Sequence, residues 1–181
     1  MMKKSGKDKQ TMSGKHSVYM IRNYINEIIS QSGLRRQSAR LALVEIGETA
    51  IGILALLMMH PQWKVRWEAV KALSQMKNAI TAPLLINALE DEYESIRWIA
   101  AEGLINLGKE GLMALLEALI SYKLSVMLRQ GAHHVIKEFS KRYTLSGIDE
   151  LMASLEGTNN YFELPVNAKN VLNSILNDNK K

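Results

Sequence analysis

The stretch Val65-Arg66-Trp67-Glu68-Ala69-Val70-Lys71-Ala72-Leu73 decides the fold, because the chain repeats it. Shifted by 31 residues it meets Ile96-Arg97-Trp98-Ile99-Ala100-Ala101-Glu102-Gly103-Leu104. A further shift of 32 gives Leu128-Arg129-Gln130-Gly131-Ala132-His133-His134-Val135-Ile136, and going back by 30 gives Arg35-Arg36-Gln37-Ser38-Ala39-Arg40-Leu41-Ala42-Leu43. Aligned in this way, Ala39, Ala69, Ala100 and Ala132 share a column, as do Leu43, Leu73, Leu104 and Ile136. Ala42, Ala72, Gly103 and Val135 share another, and Ile46, Met76, Leu107 and Phe139 close the pattern. Within each copy the apolar positions recur at i, i+4, i+7, i+8 and i+11, which is one stripe of an α-helix. A fainter fifth copy runs through Leu164, Ala168, Val171, Leu172 and Ile175.

Each of these helices is followed by a second apolar one. Its stripes are Ala50, Ile53, Leu54 and Leu57; then Thr81, Leu84, Leu85 and Ala88; then Leu112, Leu115, Leu116 and Leu119; and last Ile148, Leu151, Met152 and Leu155. Turn chemistry separates them, with Gly47, Lys77-Asn78, Gly108 and Gly111 within pairs and His60-Pro61 and Asp91-Glu92 between pairs. One helix pair cannot bury its stripe alone, so stacking is the physical reason for the repetition. The expected architecture is all-α, a right-handed α-α superhelix of four to five helix pairs over residues 17–178. An amphipathic helix near 17–30, carrying Met20, Ile21, Tyr24, Ile25 and Ile28, would cap its amino end.

The Val/Ile-Arg-Trp-x-Ala-Ala/Val-x-x-Leu core at 65–73 and 96–104 resembles the short HEAT-like repeats, about 30 residues each, of phycobilisome-lyase relatives. Looser copies extend the resemblance over roughly residues 33–177. It implies a HEAT-like solenoid and leaves function wide, since the family covers scaffolds, lyases and nucleic-acid enzymes. HEAT repeats often pair an acid in the inter-repeat turn with the arginine of the following helix, which assigns Asp91 to Arg97. The resemblance also implies a structural ladder of Arg36, Arg66, Arg97 and Arg129, although no acid precedes Arg66 or Arg129 in the corresponding turn.

Composition narrows the function. The 181 residues include no cysteine, which excludes disulfides, thiolate metal sites and cysteine nucleophiles. Of the net charge of +5, residues 1–16 contribute five lysines against Asp8, or +4, leaving +1 for the rest. The segment 1–16 reads as a flexible lysine-rich tail, too polar to form a core. The longest apolar run, 50–59, falls far short of the roughly 20 residues of a membrane span. These features point to a cytoplasmic protein that does not enter a membrane.

Counting 100° per residue from the core stripe puts Trp67 and Trp98 on the outer side of their helices, with Ser74 and Ile105 on the same faces. Two exposed indoles side by side would make a protein-binding hot spot. The blander reading, which the helix-start position favours, is that both rings lie flat and seal the ridge between repeats. The second helices should line a concave face through Leu56, Met59, Ile86, Asn87, Met113, Glu117 and Glu150, a mixture suited to an apolar or basic peptide, or else simply packed together. His133 and His134 point about 100° apart on a helix and do not form a metal pair, and His134 with Glu138 lacks a third ligand. Metallohydroxylases of the HEAT type need His-Glu dipeptides, which are absent, and alkylation-repeat DNA glycosylases need a basic concave face. No residues specify a cofactor. The expected function is therefore a non-catalytic scaffold or adaptor that binds another protein. The alternatives are nucleic-acid association through the tail, helped by Arg35, Arg36 and Arg40, or a lyase or chaperone subunit for a cofactor.

Overall fold

In the computed structural model, residues 20–121, 125–156 and 162–178 are described. The lysine-rich segment 1–16 lies outside them. Helix α1 covers residues 20–29, and α2 (Gly33–Ile46) leads through a 3-10 turn (Gly47–Ala50) into α3 (Ile51–Leu57). There follow α4 (Trp63–Met76), α5 (Ala82–Ala88), α6 (Glu94–Asn106), α7 (Lys109–Ser121), α8 (Val126–Ser140), α9 (Ile148–Glu156) and α10 (Leu164–Asp178).

The helices begin and end where local chemistry tells them to. Ser32 and Ser125 accept a hydrogen bond from the backbone N–H three residues on, at Arg35 and Leu128, and so cap α2 and α8. Pro83 sits in the first turn of α5, where a missing N–H costs nothing. The first helix of a pair turns into the second through a residue of positive φ: Gly47 (φ 73°), Lys77 (φ 51°) and Gly108 (φ 68°).

The first helices α2, α4, α6 and α8 pack in succession, and α3, α5 and α7 pack against them from one side, giving an all-α solenoid of paired helices. The repeat columns are its core. Ala69, Ala100 and Ala132, and Leu43, Leu73, Leu104 and Ile136, are fully buried. Small residues let the helices approach, and at Gly111 the approach is closest: a Cβ there would stand 2.1 Å from the Leu104 carbonyl oxygen. Gly111 is thus a packing residue inside α7 as well as part of a joint.

The stacking changes at the carboxyl end. The fifth copy is buried as its columns require, with Leu164, Ala168, Val171 and Ile175 in the core. Yet α10 packs chiefly against α7 and α9 rather than against α8. It therefore occupies the second-helix side beside α7, and α9 is displaced to the end of the array between α8 and α10. The long 141–147 connection, which replaces the short joints of the earlier pairs, accompanies the shift.

Among the described residues no helix is long and apolar enough to cross a membrane.

Candidate docking ridge on the first helices

The arginine ladder forms the frame of the site. Arg36 Nη1 donates to the carbonyls of Ser30 (2.8 Å) and Gln31 (3.0 Å), Arg66 Nη1 to those of His60 (3.0 Å) and Pro61 (3.2 Å), and Arg97 Nη1 to those of Asp91 (2.8 Å) and Glu92 (3.0 Å). Each arginine reaches back six and five residues to tie down the loop that enters its own helix. Arg129 is half-buried at the equivalent position of α8.

The assignment of the Asp91 carboxylate to Arg97 needs correction. That carboxylate forms a two-pronged bond with Arg66, Oδ2 to Nε at 2.8 Å and Oδ1 to Nη2 at 3.1 Å. Glu92 adds a contact to the same Nη2 at 2.9 Å. The acid of one turn serves the arginine on the first helix of the preceding pair, because the guanidinium fork lies between neighbouring loops. The hydrogen bonding that the Asp91 carboxylate accepts is the main reason that the Arg66 guanidinium holds its proton even more firmly than usual.

The basic residues of α2 are also engaged. Arg40 is buried, donating from Nε to Glu68 Oε2 at 2.8 Å and from Nη1 to Gln75 Oε1. Arg36 Nε lies 3.7 Å from the other oxygen of Glu68. Arg35 is exposed and paired loosely with Glu27 at 3.8 Å. Of the three arginines considered for phosphate contacts, two are therefore committed to structure.

Against this frame stand the aromatic rings. Trp98 is 56% exposed, whereas Trp67 is half-buried and packs on the core. Both line one open groove of about 480 Å³, together with Ile99, Ser95 and Glu94. A neighbouring groove of about 300 Å³ continues past Trp67 to Trp63 and Lys64. Trp63 stacks on Tyr93 with centroids 5.2 Å apart, and the Arg66 guanidinium covers Tyr93 at 5.5 Å. The result is an aromatic ridge across the amino-terminal turns of α4 and α6.

His134 completes it from α8. Its ring lies over Trp98, centroids 4.5 Å apart, and Nε2 meets Glu102 Oε1 at 3.0 Å. His134 therefore does not work with Glu138, whose carboxylate bonds Lys141 at 2.5 Å. His133 meets Glu156 at 2.9 Å. Among the described residues no cluster of three or more His, Asp or Glu is arranged to hold a metal ion.

The other sequence-derived candidates divide. Ile105 is only 5% exposed and Ser74 is buried, so neither extends the ridge: both face the packed helix neighbours that the 100° count alone does not see. Ile86, at 7%, is likewise core. Met59 (82% exposed) and Leu56 lie open with Asn87 beside a groove of about 420 Å³ between α3 and α5. Glu117 is exposed on α7 and Met113 is half-buried; Glu150 is exposed on α9, away from that groove. Sequence reasoning missed Trp63, Tyr93 and His134 as ridge members. One signal was available: the 32-residue shift that aligns Gly103 with Val135 also aligns Glu102 with His134, which makes them neighbours on adjacent helices.

Residues 50–137 match the family described as HEAT repeats. The match spans just under half of the chain, and the fold is a HEAT-like solenoid of paired helices. Among solved structures it is similar to a chain of the complex of CpcE and CpcF of phycocyanin lyase from Nostoc sp. PCC7120, with 22% identity and a TM-score of 0.54. The similarity covers 83% of this chain and 98% of that one. No curated protein matches the sequence. The structural likeness corrects one expectation. A solenoid of this kind forms part of a lyase complex, so the HEAT-like architecture gives no ground for reading the protein as non-catalytic.

Proposed function

We propose that the chain is a subunit of a two-protein assembly of the cofactor-lyase or cofactor-chaperone kind, in which it docks its partner along the Trp63–Trp67–Trp98 ridge. The observation that carries this reading is Trp98. A large indole held more than half exposed on a helix of the solenoid body, and braced by the tilted ring of a histidine that is itself bonded to Glu102, is a preorganised anchor. The complex of CpcE and CpcF, built on a similar fold, supports the two-protein form of the reading and its connection with lyase chemistry.

The test is to purify the full chain from its native cells, identify the protein that accompanies it, and reconstitute the pair. The pair is then compared for wild type and Trp98→Ala, and its visible absorption spectrum is recorded. A hot-spot anchor of this type is expected to cost about 2 kcal/mol or more of binding, roughly thirtyfold, when truncated. A bound or transferred chromophore on the partner would favour the lyase form over the chaperone form. Unchanged affinity in Trp98→Ala would remove the ridge from the reading.

A second reading rests on the exposure of Leu56 and Met59, which offer a flexible apolar surface on the second-helix side. Loss of the partner in Met59→Ser with retention in Trp98→Ala would favour it. Nucleic-acid association draws little support from α2, because Arg36 and Arg40 already have protein partners.

A further inference from the structure

We infer that the groove between Trp67 and Trp98 receives a basic side chain, arginine or lysine, projecting from the partner protein. This rests on the reading of the ridge as a docking face and adds the chemistry of what docks there.

The lining of the groove is what selects the occupant. It is lined by the two indoles together with Ile99, Ser95 and Glu94. The Glu94 carboxylate forms no ion pair or hydrogen bond with the described residues, unlike Glu68, Asp91 and Glu102, which are all engaged. One face of Trp98 is already occupied by His134, which leaves its remaining surface toward the groove. Lys64 is drawn the other way, 5.9 Å over the Trp63 ring, and lines the neighbouring groove rather than this one. The space between Trp67 and Trp98 therefore combines π-faces with a carboxylate that has no side-chain partner, and no lysine or arginine lines it. Indole faces attract cations through their quadrupole, and arginine adds planar stacking and two-pronged bonding to a carboxylate. A neutral apolar side chain would gain nothing from the Glu94 carboxylate, and an acidic one would be repelled.

The experiment uses the full chain and two short probes at low ionic strength: acetyl-Ala-Ala-Arg-Ala-Ala-amide and the same peptide with citrulline, which is neutral and nearly isosteric. Binding is read from the indole N–H resonances of the three tryptophans, assigned by single Trp→Phe replacements. The expected result is saturable movement of the Trp67 and Trp98 signals by the arginine peptide, with affinity at least roughly threefold above that for citrulline. Glu94→Gln should weaken the arginine peptide by roughly two- to fivefold without changing the fold, as the thermal midpoint and amide spectrum would register. No movement of these two signals, equal affinity for both peptides, or indifference to Glu94→Gln would each overturn the inference. The partner-binding assay keeps this failure distinct from failure of the ridge itself. If Trp98→Ala loses the partner while Glu94→Gln keeps it fully, the ridge stands and the basic side chain does not.

Discussion

Val65-Arg66-Trp67-Glu68 and Ile96-Arg97-Trp98-Ile99 are two copies of one motif at the same place in successive helices, yet only part of their behaviour is shared. Both arginines tie down the preceding loop through two carbonyls. Both fourth residues are buried, but Glu68 is a charge matched by Arg40 while Ile99 is apolar. The residue of α4 that aligns with Arg40 is Val70, so the environment of Ile99 offers no counter-charge in that position. Arg66 has the Asp91 carboxylate, and the described contacts of Arg97 are backbone carbonyls. Trp67 is half-covered and Trp98 is open. The motif fixes the backbone contacts, and the neighbouring repeat fixes the fate of each side chain.

The sharpest way to break this comparison is to write one copy into the other. Ile99→Glu is expected to cost about 3–5 kcal/mol in urea unfolding, because it buries a carboxylate with no arginine opposite. Adding Val70→Arg should recover part of that loss, a coupling that a double-mutant cycle measures. Failure of the second change to recover anything would mean that the two columns do not face each other as Arg40 and Glu68 do.

Leu73→Ala and Leu104→Ala come next, each with an expected cost of about 2–5 kcal/mol and with little difference between them, since both leucines are fully buried in the same column. A large difference between the two would show that the repeats are not equivalent in the core. Arg66→Met should cost about 2 kcal/mol more than Arg97→Met, because only the former strands a nearly buried carboxylate. The smallest effect belongs to the tryptophans. Trp98→Ala should lower stability by about 1 kcal/mol or less, and Trp67→Ala by about 2 kcal/mol, in proportion to the apolar area each covers.

These contrasts also define what could be read from the chain alone. The columns Ala69/Ala100 and Leu73/Leu104 were legible because helical periodicity and a 30- to 32-residue repeat both report burial directly. The arginine series was legible at Arg36, Arg66 and Arg97, each of which ties down the loop that enters its own helix. Its counter-charges were not, because Asp91 and Arg66 are 25 residues apart and the direction of pairing depends on how adjacent loops overlap. Ile105 and Ile86 were misjudged for a related reason: the angular count describes one helix, whereas a solenoid helix has neighbours on several sides. The return of α10 to the side of α7 was hidden too, since its stripe of Leu164, Ala168, Val171 and Ile175 suits burial in either layer. The ridge itself was half legible. Trp67 and Trp98 stood out by position, while Trp63, Tyr93 and His134 join them only through contacts between helices.

The central claim, that the partner docks on the first-helix ridge, is tested most directly by hydrogen–deuterium exchange of the full chain with and without the purified partner. The account predicts added protection concentrated in residues 62–68 and 93–99, with segments 55–60 and 84–90 unchanged. Protection confined to 55–60 and 84–90, with the ridge exchanging as in the free chain, would contradict it.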